Sequence, residues 1–206
     1  CIGDDNACRD ASTQEVIRRY FASLSKKKKG LISNEIVTKI EYLMKKLGVT
    51  EEDRSVVIPA RNKMQETGNT AVAIELNDGR IITGKMGSLL GASAGVLLNA
   101  LKALGGIADE VELISPTLIE PIQSLKINYL GSVNKRLHAD EILIALSVCA
   151  GTNPTAKLAM DQLGKLRNCE LHATVMLPHQ DESVFKKLGL RLSYDAHRQR
   201  ELIYNK

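Results

Sequence analysis

The sequence has few aromatic residues and none of the signals of a membrane or secreted protein. Phe, Tyr and Trp together make up 3% of the 206 residues, and Trp is absent. We therefore expect aliphatic side chains, mainly Ala, Leu and Ile, to fill the core. No apolar run approaches the roughly 20 residues that span a bilayer, and no signal peptide is recognisable. We accordingly predict no membrane partner.

The cysteines show neither metal-binding nor disulfide-rich spacing. The chain has four, Cys1, Cys8, Cys149 and Cys169, without a C-x-x-C pair or a dense disulfide pattern. A reducing cytoplasm fits this usage best, so we predict a cytoplasmic protein. Because the chain begins with Cys1 and its first residues resemble a loop inside a longer protein, we also expect further sequence upstream.

The positive charge is modest and concentrated in one place. The formal net charge is +4, and much of the excess lies in the run 26–29, four lysines between two predicted helices. Such a run is typical of a solvated loop. A nucleic-acid surface would need basic residues interleaved with stacking aromatics or spread along one face, and neither pattern is present. We therefore predict no nucleic-acid partner.

Residues 1–68 have the pattern of a small helical subdomain. Ser12 and Glu15 form a capping-box pattern that predicts the start of a first amphipathic helix. A second helix is predicted from near Ser33 to Gly48, a natural stop. Thr50 with Asp53 predicts the cap of a third helix, which bends or restarts near Pro59.

Residues 69–206 alternate between strand and helix patterns. The stretch 70–76 favours a strand, the pair Asp78-Gly79 favours a hairpin turn, and 80–83 favours the returning strand. Further strands are predicted at 111–115, 171–177 and 190–194, and an apolar, buried helix at 140–150. Alternating strands and helices predict an α/β (α+β) fold with a mixed sheet covered on both faces.

A glycine-rich loop after the hairpin is the main candidate for ligand binding. The stretch 79–86 nearly spells a phosphate-binding P-loop, but Met86 replaces the Ser or Thr that holds magnesium, and 80–83 is strand-like. We therefore expect no complete P-loop. Six loop residues precede a helix whose free amides could hold an anion: Gly84, Lys85, Gly87, Ser88, Gly91 and Ser93. The alternative, which we favour, is a tight turn that carries the hairpin onto the helix.

Two other motifs have simple structural interpretations. Asn153, before Pro154 and Thr155, is an efficient helix cap, although Asn153 and Thr155 could instead contribute to a ligand shared with the glycine-rich loop. His138 and Asp140 resemble the H-x-E of zinc deaminases, but no P-C-x-x-C partner accompanies them. We predict no metal site, and the pattern leaves both catalytic residues and cofactor unknown.

Many collinear segments resemble one bacterial family. Two of them are EVIRRYF at 15–21 and SLLGASA at 88–94. The others, which stand in the same order as in the family, are 83–85, 98–104, 114–116, 120–123, 129–132, 144–147, 152–154, 165–167 and 185–189. Together they resemble the carboxy-terminal half of uncharacterised protein family 0371, also called domain of unknown function 1846. The resemblance covers essentially the whole chain.

The resemblance implies an architecture but no established activity. It implies a helical subdomain followed by a three-layer αβα subdomain with a topology similar to that of cytidine deaminases. Family members are longer, and their amino-terminal part carries a glycine-rich segment that suggests nucleotide binding. One hypothesis is that this chain forms one wall of a cleft for a nucleotide or other phosphate-containing ligand, with the amino-terminal part as the other wall. The alternative is a non-catalytic module that mediates homo-oligomerisation.

Overall fold

The chain folds into helices on both sides of a small sheet. The computed structural model describes residues 4–197. Within this range the chain forms eight α-helices, four strands and two short 3₁₀ helices, at Glu51–Asp53 and Leu163–Leu166. The helices are α1 (Asp5–Lys28), α2 (Asn34–Leu47), α3 (Val57–Thr67), α4 (Ala92–Gly105), α5 (Pro116–Asn128), α6 (Ala139–Ala150), α7 (Pro154–Met160) and α8 (His179–Lys187). The strands are β1 (Ala71–Glu75), β2 (Ile81–Lys85), β3 (Glu170–Ala173) and β4 (Arg191–Tyr194).

The four strands form one mixed sheet in the order β2-β1-β3-β4. Strand β1 is antiparallel to both β2 and β3, whereas β3 and β4 run parallel. The predicted hairpin is confirmed: Gly79 adopts φ +84°, a conformation that glycine tolerates, and the Leu76 amide donates to the Arg80 carbonyl at 2.9 Å. The predicted mixed sheet within an α/β fold is therefore confirmed.

Both faces of the sheet are covered by helices. Val72 and Ile74 of β1 belong to the main core, which also contains buried residues of α4, α6 and α7. Because side chains alternate along a strand, Ala73 points to the opposite face, where it packs with Val56 and Ala60 of the α3 region. The layers are therefore helix, sheet and helix. The cytidine-deaminase-like topology stays a prediction.

The amino-terminal helices differ from their predicted form. Helix α1 begins at Asp5, and Ser12 lies inside it with its hydroxyl donating to the Cys8 carbonyl, so the predicted start at Ser12 is wrong. The helix also continues through Lys28, so most of the lysine run is helical instead of a loop. Basic side chains are favourable there because they complement the negative end of the helix dipole.

Helix α1 packs on the sheet face opposite α4. The centroid of its Phe21 ring lies 4.7 Å from the centroid of the His172 ring of β3, and Phe21 is 1% exposed. The apolar face of α1 is thus internal to the chain. The 1–68 and 69–206 division stays a prediction, although α1 and α3 of the first range contribute directly to the covering of the sheet.

Two further predictions for the second half are wrong. The stretch 111–115 is not a strand, although Leu113 and Ile114 are buried, because no neighbouring strand pairs with it in the described part of the chain. Helix α6 is not buried all round, since Ile144 and Val148 are 65% and 66% exposed. After α6 the chain forms α7 and then the 3₁₀ helix Leu163–Leu166.

Candidate functional site

A groove runs along the side of α4, between that helix, the loop after β2 and the start of α5. Its volume is ≈ 350 Å³, which falls at the lower end of the range for small-molecule sites. Helix α4 contributes residues 95, 98, 99 and 102, the i, i+3, i+4, i+7 spacing of one helical face. The remaining lining comes from Lys85, Gly87, Ser88, Leu89, Leu90, Glu112, Leu113, Ile114, Pro116 and Ile119.

The groove carries two lysines and one carboxylate. Lys85 is exposed and has no charged partner among residues 4–197. Lys102 is half-buried, and its Nζ donates to the Asp109 carbonyl at 2.8 Å. Asn99 donates through Nδ2 to the Thr83 carbonyl at 2.9 Å, which leaves its side-chain oxygen as the other polar group. Glu112 is exposed and contributes the only carboxylate among the lining residues.

Two glycines bring β2 and α4 close enough to form this groove. A Cβ on Gly84 would lie 2.3 Å from the Val96 nitrogen, so only glycine fits under the helix there. A Cβ on Gly95 would lie 3.3 Å from the Lys85 carbonyl oxygen, which is also tight. This close crossing places Lys85, the last residue of β2, directly beside α4.

Hydrogen bonds within the protein occupy much of the loop after β2. The Gly87 amide donates to the Leu90 carbonyl, and the Gly91 amide donates to the Leu137 carbonyl, both at 3.0 Å. The Arg136 side chain donates through Nε to the Gly87 carbonyl at 2.6 Å. Among residues 4–197 no acceptor contacts the Ser88 amide, and Ser88 itself is exposed beside the groove.

The structure separates the predicted loop residues into two groups. Lys85, Gly87 and Ser88 line the groove. Gly84 is buried against Val96, Gly91 is the N-cap of α4, and Ser93 is 3% exposed within α4; these three do not line it. The groove therefore lies beside the flank of α4 and not at its amino-terminal amides.

Asn153 and Thr155 lie outside this groove. The Asn153 side-chain oxygen accepts from the amides of Thr155 at 2.9 Å and Ala156 at 3.3 Å, so it caps α7. Asn153 also lines a second cleft of ≈ 440 Å³, which shares Glu112 and Leu113 with the first. Thr155 lines neither of these two clefts. The two predicted clusters are thus neighbours on either side of the 112–113 segment.

The His138 motif has a structural role. His138 is the N-cap of α6, and Glu141 closes a capping box on the His138 amide at 2.7 Å. The Nδ1 atom of His138 lies 3.5 Å from the Asp181 carboxylate, and this carboxylate raises the pKa of His138. Asp181 also accepts from the Ala139 amide at 2.8 Å. Within residues 4–197, no group of three or more His, Cys, Asp and Glu side chains is arranged to hold a metal ion.

A buried polar network on the α1 side of the sheet was not predicted from the sequence. Arg54 is 0% exposed and donates to Glu170 at 2.6 Å, Ser193 at 2.7 Å and the Arg191 carbonyl at 2.7 Å. Burial lowers the pKa of Arg54, and Glu170 acts in the opposite direction. The partners are far apart in sequence, so no local motif could have indicated them. The network anchors the segment before α3 to β3 and β4.

This network contains three residues that resemble a catalytic triad in composition only: Ser193, His172 and Asp195. Ser193 Oγ lies 2.9 Å from His172 Nδ1, and His172 Nε2 lies 3.5 Å from Asp195. All three residues are buried, and Ser193 Oγ already accepts from Arg54 Nε. A nucleophile must be reachable by its substrate, and this one lies beneath α1 and the segment before α3. We therefore assign the group to stability.

The electrostatics of the network favour a neutral His172 and an ionised Asp195. Burial lowers the pKa of His172, and the Asp195 carboxylate, 3.5 Å from its Nε2, offsets this only in part. Burial alone would raise the pKa of Asp195, but His172 and Arg61 outweigh it and hold the pKa at about 2. Arg61 has the better geometry of the two partners, at 2.7 Å.

These features define an α/β protein with a four-stranded mixed sheet and a lysine-lined groove beside one helix. No helix in the described range is both long and apolar enough to cross a membrane. Residues 52–204 match the family model "Domain of unknown function DUF1846, C-terminal", and residues 1–48 match "Domain of unknown function DUF1846, N-terminal". The chain belongs to this family, which confirms the resemblance in the sequence.

Three similar curated proteins are considerably longer than this chain. A UPF0371 protein of Corynebacterium efficiens is 47% identical over 205 residues, which is 100% of this chain and 41% of the relative. UPF0371 proteins of Streptococcus pneumoniae and Corynebacterium glutamicum are 47% and 48% identical, with 42% and 41% of their lengths covered. The chain thus spans about two fifths of the length of these relatives. Their names specify no activity.

Proposed function

We propose that this chain is the carboxy-terminal part of a longer cytoplasmic protein and that its groove beside α4 binds a phosphate-containing ligand such as a nucleotide. The observation that carries the proposal is the pairing of Lys85 and Lys102 in one groove of ≈ 350 Å³. Lysine is a common phosphate ligand because its ammonium group is a compact, strongly hydrated charge. Unlike the ammonium group of Lys102, that of Lys85 has no hydrogen-bond or ion-pair partner in the described range and is free to meet an anion.

The groove also offers contacts for the rest of such a ligand. Ser88 supplies a hydroxyl and an amide, and the side-chain oxygen of Asn99 can accept a hydrogen bond. Leu98, Ile114 and Ile119 provide apolar contact area for a base or another flat group. Glu112 would repel a phosphate placed next to it, so we place the phosphate at the Lys85 end and the ligand's hydroxyl groups near Glu112.

We further propose that the amino-terminal part of the longer protein supplies the second wall of this cleft. The relatives contain more residues outside the matched region than within it, so a second body large enough for this role is available. Open grooves of this size commonly lie between domains. The predicted homo-oligomer is not needed for this arrangement.

Thermal unfolding of the full-length protein with inorganic pyrophosphate and nucleoside triphosphates tests the binding. At about 100 times Kd, a ligand specific for the folded state stabilises it by roughly 2.7 kcal/mol. We expect Lys85→Ala to remove this stabilisation. Lys165→Ala, the same charge change at an exposed residue outside the groove, should preserve it. The proposal would be wrong if neither probe stabilised the wild-type protein, or if both variants responded equally.

A further inference from the structure

Helix α2 carries an apolar stripe that the rest of the described chain covers only on one side. Val37 and Met44 face α1 and are 2% and 6% exposed. Met44 packs with Ile17 and Phe21 of α1, and Ile40 is half-buried against the same cluster. Helix α2 is therefore fixed to α1 by one edge of its stripe.

The other edge of the stripe is open to solvent. Ile36, Leu43 and Leu47 are 44%, 43% and 49% exposed. At 100° per residue they fall within about 40° of one another on the helix surface, next to Ile40. Helix α2 is thus apolar over an arc about twice as wide as the arc that α1 covers. A helix that faces solvent on that side would have polar residues there.

The opposite surface of α2 has the composition expected of a solvated face. Glu35, Thr38, Glu41 and Lys45 are all exposed and lie away from the stripe. Tyr42 is 66% exposed and also lies outside the stripe, about 100° from Leu43. The contrast between the two sides indicates that Ile36, Leu43 and Leu47 meet another protein surface.

We infer that the stripe formed by Ile36, Leu43 and Leu47 is the surface on which the amino-terminal remainder of the full-length protein packs. The family comparison assigns residues 1–48, which contain α1 and α2, to the amino-terminal model, whereas 52–204 match the carboxy-terminal one. The two helices are therefore the last elements of the amino-terminal unit. The missing cover of α2 is then the rest of that unit, which the longer relatives carry.

This surface is distinct from the groove beside α4. Helix α2 packs on α1, which covers the sheet face opposite α4, near β4. None of the three stripe residues lines the groove. The inference therefore does not depend on ligand binding, and either proposal can fail while the other holds.

Cysteine reactivity in the full-length protein tests the inference. Leu43→Cys and Tyr42→Cys place thiols on adjacent residues whose side chains point in different directions, and neither residue belongs to the buried core of the described chain. Thiol reactivity depends on exposure. We expect the thiol from Leu43→Cys to react with a maleimide about tenfold more slowly than that from Tyr42→Cys, quantified on the labelled peptides by mass spectrometry so that native Cys8 does not interfere.

Protein concentration distinguishes the amino-terminal remainder from a second copy of the chain. If the remainder covers the stripe, protection at position 43 should be the same at all dilutions, because the contact is within one molecule. Equal reactivity of the two thiols would overturn the inference. Protection that disappears when light scattering shows dissociation to monomers would also overturn it, in favour of a homo-oligomer.

Discussion

Gly84 of β2 lies directly against Val96 of α4, where a Cβ would be 2.3 Å from the Val96 nitrogen and 2.5 Å from its Cα. Both clashing atoms belong to the backbone of a helix, so neither can move without displacing α4. The glycine is therefore required by packing. It fixes the distance between β2 and α4 and hence the width of the groove that Lys85 enters.

The first prediction is that Gly84→Ala destabilises the protein. Overpacking a tight site costs about 1–3 kcal/mol, and a clash with helix backbone should place this variant at or above the upper end. Urea denaturation would measure the change. Gly164→Ala is the matched control, because a Cβ there has no heavy atom within 4 Å in the described structure. Equal stability of the two variants would contradict the proposed packing role.

The second prediction concerns the buried guanidinium of Arg54. Arg54→Met removes the buried donor to Glu170, Ser193 and the backbone carbonyls of Leu171 and Arg191. We expect a loss of about 3 kcal/mol or more in the free energy of unfolding. The control is Arg19→Met, which removes an exposed partner of Glu15 and should have a far smaller effect. A loss no greater than the control's would show that the network contributes little.

The third prediction is a pH dependence that arises from His172. Its pKa in the folded protein is below the ordinary value of 6.5, so as pH falls below 6.5 the unfolded chain binds a proton that the folded protein resists. His172 therefore does not reduce the free energy of unfolding above pH 6.5. Below pH 6.5 it lowers that free energy, with a limiting slope of about 1.4 kcal/mol per pH unit. Unfolding free energies measured at several pH values would give this slope.

His138 acts in the opposite direction, so variants must be compared with the wild type. The pKa of His138 is raised by Asp181, and its contribution to stability is present below 6.5 and lost as pH rises through the folded-state pKa. We expect His172→Gln to reduce the loss of stability below pH 6.5, while His179→Gln, at an exposed position, leaves it in place. An unchanged pH profile in His172→Gln would argue against a neutral buried imidazole.

The elements that the sequence predicted correctly are those determined by residues close together in the chain. The Asp78-Gly79 turn, the strands beside it and the Asn153 cap were all predicted from residues within a few positions, and the structure confirms them. The same logic failed at Ser12, because a Ser-x-x-Glu pattern also fits within a helix. It failed at 111–115 because a strand requires a neighbour, which the sequence does not specify.

The sequence predicted part of the groove but not its geometry. Lys85, Gly87 and Ser88 were identified because they follow the hairpin, whereas Asn99 and Lys102 were missed because they look like ordinary helix residues. Their spacing from Gly95 by four and seven residues was the available signal, since it places them on the face toward Lys85. The Arg54 network had no such signal, because Glu170 and Ser193 lie more than a hundred residues away.

The most direct test of the account measures lysine reactivity in the full-length protein with and without pyrophosphate. Acetylation rates would be followed by mass spectrometry at Lys85, Lys102 and Lys165. We predict that pyrophosphate slows acetylation of Lys85 and Lys102 and leaves that of Lys165 unchanged, because a bound anion covers only the two groove lysines. Rates at Lys85 that do not change under saturating pyrophosphate, or that slow equally at all three lysines, would contradict the proposed site.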